Sequence, residues 1–490
     1  MRRRAVGAAA TAAFALTLTG TASSAAPADL DAAFGNHGIA TVDSGGQDTS
    51  HDLAIQPDGK IVGVGSTLKG SESDALVYRL DRDGRPDPAF AVRTLGQTGQ
   101  QEAAYAVTLQ PDGRIVVVGE TSLNNDVAVW RLLPDGRPDS SFGGDGMATL
   151  DSGGTEVGLA VAVDSAGAVV VTGRSSVGVN GSLTIYRLTA AGLPDSTFDG
   201  DGAYGFDTAG YDAGYAVTVL PDRRIVLAGE IGAASTPRIY RLMPNGLPDN
   251  SFDGDGVAEL PKPWSNRVRD LHLLDDGSFY VLGESFGTSY DAAVARMTAA
   301  GAVDPGFGGP TGAHLDAGAD ETLYSLDVAA DGKVVAAGHT TAGTDPLVAR
   351  FRADGQPDET FGTGGTMRPD GGSDYVSGAA VQPDGKILVT GDNGRTNLDA
   401  VVYRLLGDAR TAVPRCHGKP ATIVGTPGKD RIKGTNKPDV IVALGDNDVV
   451  RGRGGKDVIC GGAGKDELYG GAGRDTILGG PGKDVVVQGG

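Results

Sequence analysis

Residues Asp29–Asp43 read DLDAAFGNHGIATVD, and the fold turns on how that stretch is placed. The same pattern returns at Pro138–Asp151 as PDSSFGGDGMATLD, where it is the late part of a longer unit. Between residues 29 and 406 that unit recurs every 53 to 56 residues. It opens on a turn and a strand: QPDGKIVGVG from Gln56, QPDGRIVVVG from Gln110, DSAGAVVVTG from Asp164 and LPDRRIVLAG from Leu220. LDDGSFYVLG from Leu274, AADGKVVAAG from Ala329 and QPDGKILVTG from Gln382 continue the series. Pro-Asp-Gly ahead of an alternating apolar run signals a hairpin: proline presets φ, aspartate bonds back to the chain, and glycine accepts the left-handed position.

A second strand in each unit ends at an arginine: Arg79, Arg131, Arg187, Arg241, Arg296, Arg350 and Arg404. Phe34, Phe90, Phe142, Phe198, Phe252, Phe307 and Phe361 each follow an aspartate by three residues, from Asp31 to Asp358. Arg404 gains such a partner segment only if Asp31 and Phe34 come round from the other end of the array. A first segment that completes the last unit suits a closed ring, because it removes an open sheet edge. About four short strands per unit at this period predict an all-β fold, a seven-bladed β-propeller; an open solenoid is the alternative. The units resemble the delta-60 repeat family, whose signatures QPDGKIVVAG and RLNxDGxxDxxFG recur here in order. The match departs at Asp164–Gly167, at Arg223 and after Phe90. The resemblance implies a propeller-like exported protein and brings no catalytic residue set.

The end of the chain counts in nines. From Gly425 the blocks are GTPGKDRIK, GTNKPDVIV, ALGDNDVVR, GRGGKDVIC, GGAGKDELY, GGAGRDTIL and GGPGKDVVV. Asp430, Asp439, Asp448, Asp457, Asp466, Asp475 and Asp484 hold the sixth place. Ile432, Ile441, Val450, Ile459, Leu468, Ile477 and Val486 hold the eighth. A glycine-rich hexad makes a tight turn, and the next three residues form a strand whose middle side chain points inward. Stacked blocks predict a parallel β-roll. Its turns offer carbonyls and carboxylates, hard oxygen donors suited to Ca²⁺ rather than zinc. The pattern resembles the calcium-binding nonapeptide repeat of the hemolysin (RTX) type, G-G-x-G-x-D-x-U-x, over residues 421–490. Thr426, Pro438 and Asp446 stand off the pattern, although Asp446 adds a carboxylate. The candidate calcium ligands are the seven registered aspartates and Asp446.

The segment MRRRAVGAAATAAFALTLTGTASSAAPA has basic, apolar and small-residue regions in the order of a secretory signal peptide. The expected organisation is signal peptide 1–28, propeller 29–406, linker 407–420 and roll 421–490. No other segment has the composition of a membrane span. The formal charge is −20, which disfavours nucleic acid as a partner. Cys416 and Cys460 are the two cysteines, and in an oxidising compartment a disulfide between them is expected, with two free thiols as the alternative.

Catalytic signals are absent from the motifs. The six histidines share no repeat position and show no metal-ligand spacing. Asp74, Asp126, Asp291, Asp345 and Asp399 stand five residues before the blade arginine, with Ser182 and Thr236 in that place elsewhere. Residues repeated in every unit are expected to secure turns and blade contacts. Symmetry breaks at ELPKPWSNRVRD (Glu259–Asp270), where Trp264, Arg267 and Arg269 form the candidate partner-binding edge. The expected function is calcium-dependent binding or scaffolding outside the cell, with a glycan, cell-wall or protein ligand. The alternatives are a hydrolase or lyase acting on extracellular polymer, and a structural surface protein that self-associates with calcium.

Overall fold

The computed structural model describes residues 28–408 and 415–489, apart from 91, 97–99, 123–124, 177–180, 207–211, 232–236, 288, 319, 341–344, 370–374, 395–397, 418, 426–428, 463 and 481. The expected signal peptide up to residue 27, Thr236, Thr426 and part of the expected linker lie outside the described residues.

The long repeats form a seven-bladed β-propeller followed by a parallel β-solenoid. After β1 (Ile39–Val42), blade 1 is built from β2 (Gln47–Ile55), β3 (Ile61–Lys69), β4 (Glu72–Leu80) and β5 (Arg93–Leu95), paired in that order. Five more four-stranded sheets follow the same antiparallel order. Their inner strands are Glu102–Leu109, Glu156–Val163, Asp212–Val219, Trp264–Leu273 and Glu321–Val328. In blade 7, Tyr375–Val381, Ile387–Asp392 and Ala400–Leu405 are completed by β1, with Ile39 opposite Tyr403 and Val42 opposite Ala400. The N-terminal strand closes the ring, as the displaced repeat predicts.

Local chemistry explains the blades. In the first Pro-Asp-Gly turn, Gly59 has φ +83°, and its N–H donates to the Gln56 carbonyl at 2.8 Å. The Asp58 carboxylate accepts the Lys60 N–H at 3.1 Å. The alternating strands pack blade against blade: Val62 and Val77 of blade 1 share a core with Val117 and Trp130 of blade 2. Across the closure, Tyr78 of blade 1 packs with Leu388 and Val402 of blade 7.

The repeated arginines are clasps. Arg79, Arg131, Arg241, Arg350 and Arg404 bond Asp87, Asp139, Asp249, Asp358 and Asp31 at 2.7–2.9 Å. Arg187 reaches Asp195 at 3.3 Å and Arg296 reaches Asp304 at 3.7 Å. Five of the guanidinium groups lie 4.4–4.7 Å from the centre of the registered phenylalanine ring. Most also donate to a carbonyl of the next blade, Arg131 to Ala190 and Arg404 to Arg82 among them. Each clasp therefore holds a turn within its blade, and most tie that blade to its neighbour, so these arginines do not form a binding ring.

The nonapeptide strands alternate between two parallel sheets, so one turn of the roll takes two blocks. Ile441 pairs with Ile459 and Ile459 with Ile477 in one sheet; Ile432, Val450, Leu468 and Val486 align in the other. Ile441, Val450, Ile459 and Leu468 are fully buried between them, while Val486 at the last strand is exposed. No helix among the described residues is long and apolar enough to cross a membrane.

Candidate calcium centre and the propeller channel

Four of the stacked aspartates, Asp448, Asp457, Asp466 and Asp475, divide the work of their two oxygens, whereas Asp439 Oδ2 accepts the Thr435 N–H and hydroxyl at 2.6 and 2.9 Å. The Oδ1 atoms of Asp448, Asp457, Asp466, Asp475 and Asp484 accept the backbone N–H of Asp430, Asp439, Asp448, Asp457 and Asp466 at 2.8–3.1 Å, each one turn back. The Oδ2 atoms of Asp448, Asp457, Asp466 and Asp475 are buried and accept no hydrogen bond. A buried anionic oxygen left in that state is costly unless a cation meets it. A Cβ placed at Gly434, Gly452 or Gly461 would collide with Oδ2 of Asp439, Asp457 or Asp466. It would also strike the carbonyl oxygen of Gly452, Gly470 or Gly479. Glycine is thus required to leave a cradle of carboxylate and carbonyl oxygens, the donor set of a hard divalent cation.

Electrostatics point the same way. Burial, and then the charges of neighbouring aspartates, push the Asp448 and Asp457 carboxyls above their usual range, against the backbone hydrogen bond each accepts. The residues fit calcium, and these nonapeptide repeats bind it. Asp446 is exposed; its carboxylate accepts the Asn447 N–H at 2.7 Å, and its charge acts on Asp448. A disulfide joins Cys416 to Cys460, anchoring the segment before the roll beside Val442 and Val458.

The candidate edge around Trp264 is divided by the structure. Trp264 is 2 % exposed, and its indole N–H donates to the Thr311 carbonyl at 2.7 Å; it is a core residue of blade 5 and cannot be a partner-facing anchor. Arg269 is held by the buried Glu284 at 2.9 Å. Its guanidinium lies between the Tyr215 and Tyr324 rings, 5.2 and 5.5 Å from their centres. Arg267 is the accessible member, bonded to Glu284 at 3.4 Å and 5.5 Å from the Tyr290 ring. Beside it the exposed Phe286 and Tyr290 face each other at 4.8 Å across a hairpin.

The inner strands share a device that the sequence motifs do not reveal. Each carries a register shift at the same place, at His51, Tyr105, Leu159, Tyr215, Arg269, Tyr324 and Ser377. A bulge re-aims side chains and is common at functional surfaces. These half-buried residues differ between adjacent blades, with tyrosine in three, and some meet across blades, as in the His51–Tyr105 stack at 5.2 Å. Just after the bulge, Asp52 and Asp270 accept backbone N–H groups from their own blade and from Val107 and Leu326 of the next, at 2.7–2.8 Å. Burial pushes their carboxyls up to about 6 and about 7. Both oxygens of each are occupied, one within its own blade and one on the next, so these acids serve structure.

The molecule is therefore a propeller joined to a calcium-binding roll. Residues 56–90, 110–142, 220–252, 329–361 and 382–408 match the family described as "Domain of unknown function (DUF5122) beta-propeller". Residues 424–459 and 454–486 match the "RTX calcium-binding nonapeptide repeat (4 copies)". Five of the seven propeller units thus match the first family and the nonapeptide array matches the second. No curated protein matches it. Among solved structures, Sqt1 of Chaetomium thermophilum is similar at 14% identity, covering 75% of this chain and 88% of that one, with a TM-score of 0.44. Hydrazine synthase of Kuenenia stuttgartiensis gives 12%, 74%, 97% and 0.45 in the same order. The β-propeller domain of the Trilobed protease of Pyrococcus furiosus gives 9%, 75%, 98% and 0.41. At these scores the likenesses carry no functional argument.

Proposed function

We propose that the protein is exported and acts as a calcium-dependent binding or scaffold protein at the cell exterior. The observation that carries this reading is the blade 5 rim, where Arg267 stands beside the exposed, mutually packed Phe286 and Tyr290. Arginine and aromatic side chains are the residues on which binding energy concentrates. The clasp aspartates and the raised acids Asp52 and Asp270 are engaged in holding blades, which favours recognition over catalysis. The basic and then apolar N-terminal stretch supports export. Outside the cell calcium sites commonly work at roughly 10⁻⁴–10⁻³ M, so the roll would order on arrival there. The ligand is an extracellular glycan, cell-wall polymer or protein.

The test is a glycan-array and cell-wall binding screen of the full chain in calcium, repeated with Arg267→Ala and Phe286→Ala. Retention of a specific ligand by the wild type and its loss in both variants is expected. A wild type that retains nothing, or variants that bind as well, would overturn the reading.

A further inference from the structure

The aspartate five residues before the blade arginine is absorbed by neither the clasps nor the roll. In blade 2 it is Asp126, at the start of the strand Asp126–Leu132. The turn Asp151–Gly154 leads from the outer strand of blade 2 to the inner strand of blade 3, which begins at Glu156. One oxygen from each of Asp126, Asp151 and Glu156 lies within 4.8 Å of the other two. Glu156 is fully buried and Asp126 is 6 % exposed, while Asp151 is exposed. Glu156 Oε1 is well satisfied: it accepts from the Ser152 and Ser175 hydroxyls at 2.7 and 2.9 Å and from the Gly154 N–H at 2.9 Å. Its Oε2 and the Oδ1 of Asp126 are buried and accept nothing.

We propose that Asp126, Asp151 and Glu156 form a calcium site at the junction of blades 2 and 3, separate from the roll. Buried carboxylates are normally paired or bound to a metal, and no ion pair reaches these three among the described residues. Two oxygens on one Ca²⁺ at 2.3–2.6 Å can stand at most about 5 Å apart, so the observed spacing suits a shared ion. Elsewhere in the ring the same aspartate is otherwise engaged. Asp345 meets Arg368 at 2.6 Å, and Gly96 stands beside Asp74 and Glu102 where blade 2 has Asp151. Acid triads recur at Asp43, Asp48 and Asp399 and at Asp291, Asp316 and Glu321. There Ser44 donates to both oxygens of Asp48, and Ser289 donates to Asp291. Of the three triads, that of Asp126, Asp151 and Glu156 is the one with two members whose buried oxygens accept no hydrogen bond.

The test uses the full chain, with Asp126→Asn and the surface variant Asp151→Asn. Equilibrium dialysis against calcium should show one ion fewer in each variant than in the wild type. Thermal unfolding followed by tryptophan fluorescence should cross over: in chelator Asp126→Asn melts above the wild type because repulsion is relieved, and in calcium it melts below. A variant that merely disturbs packing melts lower in both conditions. Unchanged stoichiometry in both variants, or an Asp126→Asn protein that melts lower with and without calcium, overturns the proposal.

Discussion

The clasp of blade 2 makes a prediction in which the two partners of one ion pair are not equivalent. Arg131 is 4 % exposed. It bonds Asp139 at 2.8 Å, the Ser141 hydroxyl at 2.8 Å and the Ala190 carbonyl of blade 3. Asp139 has a second cation, Arg114, at 2.7 Å. Asp139→Ala leaves the Arg131 guanidinium buried without its carboxylate, which costs about 3–5 kcal/mol. Arg131→Met leaves Asp139 paired with Arg114 and keeps apolar volume over Phe142. It forfeits charge-assisted bonds and should cost about 1–3 kcal/mol. The assay is urea unfolding at pH 7 in calcium, followed by tryptophan fluorescence; both tryptophans, Trp130 and Trp264, lie in the propeller. Asp139→Ala should unfold at the lower urea concentration. A midpoint for Arg131→Met equal to or below that of Asp139→Ala refutes the reasoning. Acid adds a check. Burial pushes the Asp139 carboxyl up, but bonds from Ser141 and Arg114 and the charge of Arg131 outweigh it and hold the group at about 2. A depressed carboxyl contributes stability above its unfolded value, so the contribution fades as pH falls from about 4 to about 2, and Asp139→Ala should lack that loss.

Chelation should remove the strand signal of residues 421–490 from circular dichroism while tryptophan emission at 25 °C stays native; a calcium-independent spectrum would contradict the ligand set. Replacing Cys416 and Cys460 by serine opens a loop whose ends lie 44 residues apart, which should weaken the calcium-loaded roll by about 4 kcal/mol; the calcium concentration at half-folding should rise, and an unchanged midpoint would count against it. Arg453 is exposed at φ +76°, so Arg453→Gly should stabilise the roll by about 1 kcal/mol in a calcium-saturated melt, whereas a lower melting point would show the side chain is needed. The raised Asp270 carboxyl, at about 7, contributes stability that is full below about 4 and lost as pH rises through about 7; Asp270→Asn should flatten the stability profile between pH 5 and 8, and an unaltered slope would exclude the group.

What could be read in advance follows from which constraints repeat. The Arg–Asp–Phe clasp is imposed by every blade, so its register exposes both the blade number and the borrowed first strand. The roll aspartates are legible for the same reason, since each turn needs the same carboxylate over the same glycine. Asp446, two residues out of register, has one oxygen on its own backbone at the Asn447 N–H, so the repeat alone does not fix its part. The bulge residues of the inner strands leave no motif: their identity changes from one blade to the next, and only the pairing register shows them. Trp264 has the composition of a contact residue, yet a buried carbonyl at Thr311 claims its indole N–H. Phe286 and Tyr290 become a patch only when the hairpin between them closes. The triad of Asp126, Asp151 and Glu156 is assembled from a strand start, a turn and the next blade, so no local spacing announces it.

The bond between Asp31 and Arg404 spans a sequence separation of 373 residues, and that number orders events in time. Blades 1 to 6 can each form from consecutive chain, one hairpin after another. The seventh must wait, because β1 is among the first parts of the propeller to be made and the last to find its place. Until Ala400–Leu405 arrives, β1 has no strand to pair with and the sheet of blade 7 keeps an open edge. Long-range closures of this kind fold slowly and leave partly built chains prone to pair with each other. Ring closure is thus a timing problem for the growing chain as much as a source of strength for the finished one.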